Sequence, residues 1–473
     1  MAEATTSPAS SVRRRRRRVL MFPVPFQGHL TPMLQLAGAL HARGGGQLDV
    51  TVFHAAFNAP DAARRPAGYR FVPVGEGVPS ADLVPSGSDA DFAGALLRIN
   101  ERLREPFRDC LRQALLADEE GGGGAAPACL VVDSNLRGMQ LVAQELGVPT
   151  LVLRTGGAAC LVAYMAFPAL CDKALLPLAS QDKAHLDMPL DELKPLRLRD
   201  MVFSTTTAHA NMTRCLQDIM DAARSSSGVI LNTFQDLENP DIQKIADGLG
   251  VPIYTIGPLH KISSGTESSL LAQDQTCLEW LDKQEDDSVL YVSFGSLASM
   301  AEKDMLEIAW GLANSQKPFL WVIRHNLVKS SHQVSLPEGF EEATHGRGMV
   351  VPWAPQQEVL KHPAVGGFWT HNGWNSTLES ICEGVPMICR PQFADQMINT
   401  RYVQEVWKIG FELEGEMERG KIEMAITKLL CMEEGRHMRQ RANNLRDKAI
   451  KCIEEEGSSK SAIELLLKRI MSF

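Results

Sequence analysis

The chain has 473 residues, 44% of them hydrophobic, and a formal net charge of −9. That length predicts two domains with sizeable cores, and the acidic balance argues against a nucleic-acid or anionic-membrane binder. Ten cysteines are scattered with no C-x-x-C pair, a usage that implies neither a disulfide framework nor a zinc site and fits a reducing, cytoplasmic setting; no apolar run approaches the ~18–20 residues of a membrane span.

The first feature along the chain is the basic block Arg13 to Arg18. It reads as part of a solvated, disordered tail over residues 1–18, with a nuclear or membrane address as the alternative. The apolar run behind it is cut by Pro23 and Pro25 and lacks an A-x-A site, so a signal peptide is not expected. Residues 19–24 then read as a buried strand, and 30–40 as a helix. Between them stands Pro25-Phe26-Gln27-Gly28-His29. His29 therefore falls at a strand end beside a helix N-terminus, where a ring titrating near neutrality is placed to act as a base. A lone histidine is more often structural, and by itself this one does not decide.

Further strands are predicted at 50–54, 130–133, 150–153, 228–232 and 253–256, alternating with helix-like stretches. That alternation predicts a parallel sheet covered by helices, a first domain over 19–260. Asp133 ends its strand. Two readings of it stand: an acid that orients His29 and steadies its imidazolium, or an N-cap for the helix expected over 138–146. Gly121 to Gly124 reads as a surface loop.

Residues 261–275 are polar and serine-rich, a linker. The strand–helix pattern then restarts: strands at 288–294, 318–324 and 348–351, helices at 303–315 and 356–362. This second domain is expected over 276–455, and the charged helical tail begins near 438. The turn Gly295-Ser296 ends the first strand of this half. It is either an ordinary strand-ending turn or a point where the backbone approaches a ligand.

The most informative stretch is WAPQQEVLKHPAVGGFWTHNGWNSTLESICEGVPMICRPQFADQ, Trp353 to Gln396. A buried strand, 364–369, stops at a polar glycine turn, and a helix is expected from Ser376 to Glu383. Strand, glycine turn and helix N-terminus form an anion site, because free N–H groups and the helix dipole point at the ligand. Asn375 and Ser376 can cap that helix and still face a ligand. Glu379 lies one turn deeper on the same face, where an acid suits two vicinal ribose hydroxyls. Trp353 offers a flat surface for a base.

This segment resembles the signature box of plant secondary-product UDP-glycosyltransferases, a family with the GT-B architecture of two Rossmann-like doubly wound parallel-sheet domains facing a cleft. The resemblance implies that Trp353 stacks on uracil, that the Ala354 backbone and Gln356 bind the uracil and ribose side, and that Glu379 holds the ribose hydroxyls. His371, Asn375 and Ser376 then hold the diphosphate, and Trp374, Asp395 and Gln396 the sugar. Asn372 replaces the usual Cys and Ala394 the usual Gly. The Q-G-H motif matches the family's general base, so His29 and Asp133 become the catalytic pair. Gly28, Thr155, Gly295 and Ser296 join the donor site. Gln396 matches glucose-users. The family also implies a C-terminal helix, 456–473, that packs back on the first domain. PFQGHL, VLYVSFGS, AWGLA, THNGWNS and RYV-x-x-VWKIG look most like grass enzymes that glucosylate benzoxazinoids and the related cytokinin and terpenoid groups.

The expected activity is inverting transfer of glucose from UDP-glucose to a hydroxyl, carboxyl or amine of a small apolar plant metabolite. UDP-glucose is a co-substrate; no cofactor, metal, nucleic acid or membrane segment is called for, and a monomer is expected. An apolar acceptor pocket is assigned to Phe26, Met139, Tyr164, Met201, Phe203 and Phe393. Two rivals are a silent UDP-sugar-binding protein, or the same chemistry with another UDP-sugar. A dinucleotide-dependent oxidoreductase is disfavoured, because no G-x-G-x-x-G follows the first strand.

Overall fold

Seven strands form an all-parallel first sheet: β1 (Arg17–Phe22), β2 (Leu48–Ala55), β3 (Arg70–Val74), β4 (Ala126–Asp133), β5 (Thr150–Arg154), β6 (Val229–Leu231) and β7 (Ile253–Thr255). Their spatial order is β3-β2-β1-β4-β5-β6-β7. The computed structural model describes residues 16–473 except 63–64, 67, 85–90, 121–125, 178–181, 202–208, 264–271, 326 and 329–335. Phe203, the glycine run from 121, most of the predicted linker and the start of the basic block lie outside the described residues.

The central strands are apolar along most of their length because both their faces are covered, with polar and charged residues concentrated toward their ends. Side chains alternate across the sheet. Leu20 and Phe22 of β1 join one cluster, in which the rings of Phe22 and Phe53 each lie 5.1 Å from that of Phe107. Val19 and Met21 join the opposite cluster, together with Ile463, Leu466 and Ile470 of the helix Ser458–Ser472. The last helix of the chain thus completes the core of the first sheet.

The basic block is not all tail. Arg17 and Arg18 belong to β1, and Arg18 is 9% exposed. Its long stem packs with the strand while Nη2 donates to Ala114 O at 3.0 Å. Arg16 pairs with Asp49. A run of six arginines read by charge alone conceals that extended backbone and a carbonyl partner can bury the last of them.

A second parallel sheet follows, made of β8 (Val289–Ser293), β9 (Phe319–Val322), β10 (Gly348–Val351), β11 (Val365–Thr370), β12 (Met387–Cys389) and β13 (Gly410–Glu412). Its order is β10-β9-β8-β11-β12-β13. Strands β3, β12 and β13 were not expected from the sequence: β3 is an edge strand with little buried surface, and the other two are three residues long.

Two parallel sheets wound in both directions on one chain are the GT-B fold. In each, the strand order reverses at one place: between β1 and β4 in the first, and between β8 and β11 in the second. Ligands bind beyond the carboxyl ends of strands at such switch points. One apolar cluster runs through both halves, from Leu231 and Phe234 to Trp374, Tyr402 and Trp407. The polar tips of those three rings are satisfied across the junction: Trp374 Nε1 donates to Asn232 O at 2.8 Å, Tyr402 Oη to Asp241 at 2.9 Å, and Trp407 Nε1 to Leu237 O at 3.3 Å. No helix among the described residues is long and apolar enough to cross a membrane.

Candidate active site

The two switch points face each other across a cleft of about 560 Å³. On the first sheet, β1 delivers His29 and β4 delivers Asp133. The helix after β1 runs Gln27–Arg43, so it starts earlier than expected and His29 lies within its first turn. His29 Nδ1 is 2.7 Å from Asp133 Oδ2 and 3.0 Å from Thr155 Oγ1. A buried carboxylate can only accept, so it fixes the ring proton on Nδ1 and leaves Nε2 with its lone pair. The imidazole is 26% exposed and the carboxylate 0%.

Burial pushes the Asp133 carboxyl up, but the His29 ring and two hydrogen bonds from Asn135 outweigh it and hold the group below its usual value. Those bonds come from Asn135 N at 3.0 Å and Nδ2 at 2.8 Å, both to Oδ1. The helix that follows is capped at Leu136 with no side-chain bond. Of the two readings of Asp133, the helix cap is therefore excluded by geometry; the turn it closes is its own.

On the second sheet, β8 leads into the turn at Gly295 and β11 into His371. A Cβ placed on Gly295 would lie 2.5 Å from His371 Nε2, and one on Gly373 would lie 2.7 Å from it. Gly295 also has φ +72°, a left-handed conformation that glycine alone adopts freely. The imidazole thus stands between two bare backbones. Burial and the nearby Arg324 lower its pKa to about 4, so it is neutral near pH 7. Arg324 Nε donates to Gly295 O at 3.0 Å. This arginine holds the turn in place. Sequence reading passed over it as the end of a strand.

The helix after β11 is Trp374–Glu383, capped by Gly373. Asn375 and Ser376 are therefore inside the first turn and cap nothing. Asn375 Nδ2 instead reaches the other half and donates to Gly28 O at 2.9 Å. The sequence explains why that carbonyl is available. Its partner within the Gln27–Arg43 helix would be the amide of residue 32, which is proline and has no N–H. Ser376 Oγ accepts from Gln356 Nε2 at 2.9 Å. Glu379 accepts from Gln356 at 2.7 Å and Gln357 at 3.0 Å, one on each oxygen, which leaves lone pairs for a diol. Burial raises its pKa. Trp353 and Ala354 line the same end of the cleft.

Three sugar-side assignments change in detail. The Trp374 indole N–H is engaged by Asn232 O, so this ring offers a sugar only its face. Gln396 Oε1 accepts from the backbone N–H groups of Gln392 and Phe393 at 2.7 and 3.1 Å, so its amide nitrogen is what remains to meet a ligand. Asp395 is raised by burial, an effect opposed by Arg154, by a 3.1 Å bond from Asn399 and by His29. Ser296, Gly28 and Thr155 line the cleft.

The acceptor assignments are partly wrong. Phe26, Tyr164 and Phe393 line the cleft. Met139 and Met201 do not: at 0% and 1% exposure they belong to the core beneath. A methionine at helix spacing carries no sign of which layer it fills. The apolar wall comes instead from Leu96, Met212, Cys215, Leu216 and Ile219, with Phe92 stacked on Phe393 at 4.6 Å across the two halves. Among the described residues no group of three or more His, Cys, Asp or Glu side chains converges as a metal site would require.

The family model described as UDP-glucoronosyl and UDP-glucosyl transferase matches residues 265–445. DIMBOA UDP-glucosyltransferase BX8 of Zea mays is 45% identical over 93% of this chain and 96% of its own length. UDP-glycosyltransferase 76F2 of Arabidopsis thaliana is 42% identical over 97% and 98%. Among solved structures, UDP-glucose: anthocyanidin 3-O-glucosyltransferase in complex with UDP superposes with a TM-score of 0.81, at 26% identity over 97% of this chain and 100% of that one. Phytolacca americana UGT2 complexed with UDP-2fluoro-glucose and pterostilbene gives 0.77, at 27% identity over 96% and 99%. The chain belongs to the plant family 1 UDP-glycosyltransferases and is a transferase enzyme.

Proposed function

We propose that this enzyme transfers glucose from UDP-glucose, with inversion, to a hydroxyl of a small hydrophobic plant metabolite. The observation that carries the reading is the 2.7 Å contact between His29 Nδ1 and buried Asp133, placed opposite the glycine-flanked His371. Relatives described as UDP-glucosyltransferases support the sugar and the nucleotide.

In this mechanism His29 Nε2 takes the proton of the acceptor hydroxyl as its oxygen attacks the anomeric carbon. The bond to the UDP oxygen breaks on the opposite face, so an α-linked donor gives a β-glucoside. Asp133 steadies the imidazolium that forms. Developing charge on UDP meets the N-terminus of the Trp374–Glu383 helix, the N–H of neutral His371 and the Ser376 hydroxyl. Trp353 stacks on uracil and Glu379 binds the ribose diol. Asp395 accepts from one sugar hydroxyl and the Gln396 amide nitrogen donates to its neighbour. No step calls on a metal ion.

The test is an acceptor panel incubated with UDP-glucose and read by mass spectrometry for a hexose gain. Product from wild type and none from His29→Ala is the expected result. Release of UDP with no acceptor gaining a hexose would end the transferase reading. EDTA leaves the rate unchanged on this mechanism; a chelator-sensitive rate restored by Mg²⁺ would contradict the metal-free phosphate site.

A further inference from the structure

Two consecutive residues at the head of the Trp374–Glu383 helix reach across to the first half. Trp374 Nε1 donates to Asn232 O, just beyond β6, at 2.8 Å, and Asn375 Nδ2 donates to Gly28 O, in the helix after β1, at 2.9 Å. The first of these acceptors is itself held, because Asn232 Oδ1 takes the N–H of Leu259 at 3.0 Å. The second belongs to the residue before His29. The helix N-terminus that meets the diphosphate in the mechanism above is thus pinned to the opposite half at two points, one of them beside the base.

Such a register matters to the chemistry. His29 and the donor's anomeric carbon are carried by different halves, and in-line attack tolerates little displacement: about 1 Å can cost about a hundredfold in rate. Asn375 is suited to bear on both sides. Its amide has two N–H donors and an acceptor oxygen. One N–H goes to Gly28, and the other donor and the oxygen are left for a ligand in the cleft that Asn375 lines.

The Gly28 carbonyl is open to this bond because of a residue one turn away. In an α-helix the carbonyl of residue 28 is taken by the N–H of residue 32. Residue 32 is a buried proline inside the Gln27–Arg43 helix. It brings no N–H, and its ring crowds the carbonyl four residues earlier and pushes it off the helix axis. For the helix alone that is unfavourable; for Asn375 it presents an acceptor with nothing in its own helix to compete. We propose that Pro32 is a positioning residue for the transfer: by withholding an N–H it turns Gly28 O outward to Asn375, and that bond registers the base of the first half on the donor of the second. This rests on the glycosyltransferase reading above.

The experiment is a double-mutant cycle on Pro32→Ala and Asn375→Ala, read as kcat for hexose transfer, UDP affinity by calorimetry and melting temperature. Pro32→Ala restores the N–H that recaptures Gly28 O. Its kcat falls about twofold to tenfold, the range of one neutral hydrogen bond. UDP affinity holds, and melting temperature stays level or rises because the helix gains a bond and a better helix former. Asn375→Ala lowers kcat at least as far and weakens UDP as well. In the Asn375→Ala background Pro32→Ala changes kcat by less than about twofold, since the bond it competes with is already gone. An unchanged kcat in Pro32→Ala overturns the proposal, and so do losses that simply multiply in the double variant. A fall in kcat that comes with lower UDP affinity and a lower melting temperature also overturns it, because that marks a proline serving the fold. Hexose transfer by wild type with Pro32→Ala at the same rate sinks only the role of Pro32; no hexose transfer by wild type to any acceptor sinks the reading beneath it.

Discussion

The two faces of the cleft are built in opposite ways. The face proposed to hold the donor comes mostly from one continuous segment, Trp353 to Gln396, supplemented by the turn at Gly295. The opposite face, proposed to hold the acceptor, gathers Phe26, Phe92, Asn135, Arg154, Tyr164 and Cys215 from six separate places in the chain. A strand–turn–helix unit can fix a nucleotide site through its own backbone, so its parts must stay adjacent in sequence. A pocket for a small apolar molecule needs only walls, and any helix that reaches the sheet end supplies one. The contrast teaches why local sequence singles out the proposed donor face and leaves the other face unmarked.

Substitutions on each face should separate them, and the largest effect is expected at the base. His29→Ala lowers turnover by about 10²–10⁴-fold while UDP affinity, measured by calorimetry, stays within a factor of two or so. A mutant with near wild-type rate would remove His29 from the chemistry. Next comes the donor face alone. Trp353→Ala weakens UDP by about 1–3 kcal/mol, roughly tenfold to a hundredfold, as for other aromatic–base stacks. Unchanged UDP affinity would contradict the stacking. Gly295→Ala strikes both conformation and contact, with φ +72° and a Cβ 2.5 Å from His371. It costs about 1–3 kcal/mol of stability, read by denaturant unfolding, and raises KM for UDP-glucose more than for the acceptor. Equal effects on the two substrates would mean that the turn serves the fold rather than the donor.

The pH response sharpens the comparison further. The folded-state pKa of His371 is lowered to about 4, first by burial and then by Arg324. For a histidine with a depressed value, the native state prefers the neutral ring. Its stability is intact above the ordinary value near 6.5 and declines as pH falls from there toward 4. His371→Gln therefore flattens the fall in melting temperature between pH 6.5 and 4.5; parallel curves for mutant and wild type would show that another group carries it. The smallest effect is at Ala394, which holds φ +58°. Ala394→Gly relieves that conformation and shifts stability by about 0.5–1 kcal/mol in the favourable direction. A lower melting temperature in the glycine variant would show that the methyl group packs well enough to offset the strain.

Much of this protein is written in local sequence. Apolar runs bounded by turns marked ten of the thirteen strands, because a strand covered on both faces is apolar along most of its length. Gln27-Gly28-His29 and the long donor box announced chemistry by placing polar groups where strands end. Only the tertiary structure decided the rest, since it depends on residues far apart meeting. It put Arg18 in a strand against Ala114 and sank Met139 and Met201 into the core. It turned Asn375 from an expected helix cap into a link with Gly28, whose carbonyl Pro32 cannot use. It set the buried Arg154 against the Tyr164 ring and within electrostatic reach of Asp395 from the other half. Periodicity and turn chemistry are properties of neighbours along the chain. Which buried donor finds which acceptor is set by packing, and packing is not a local property.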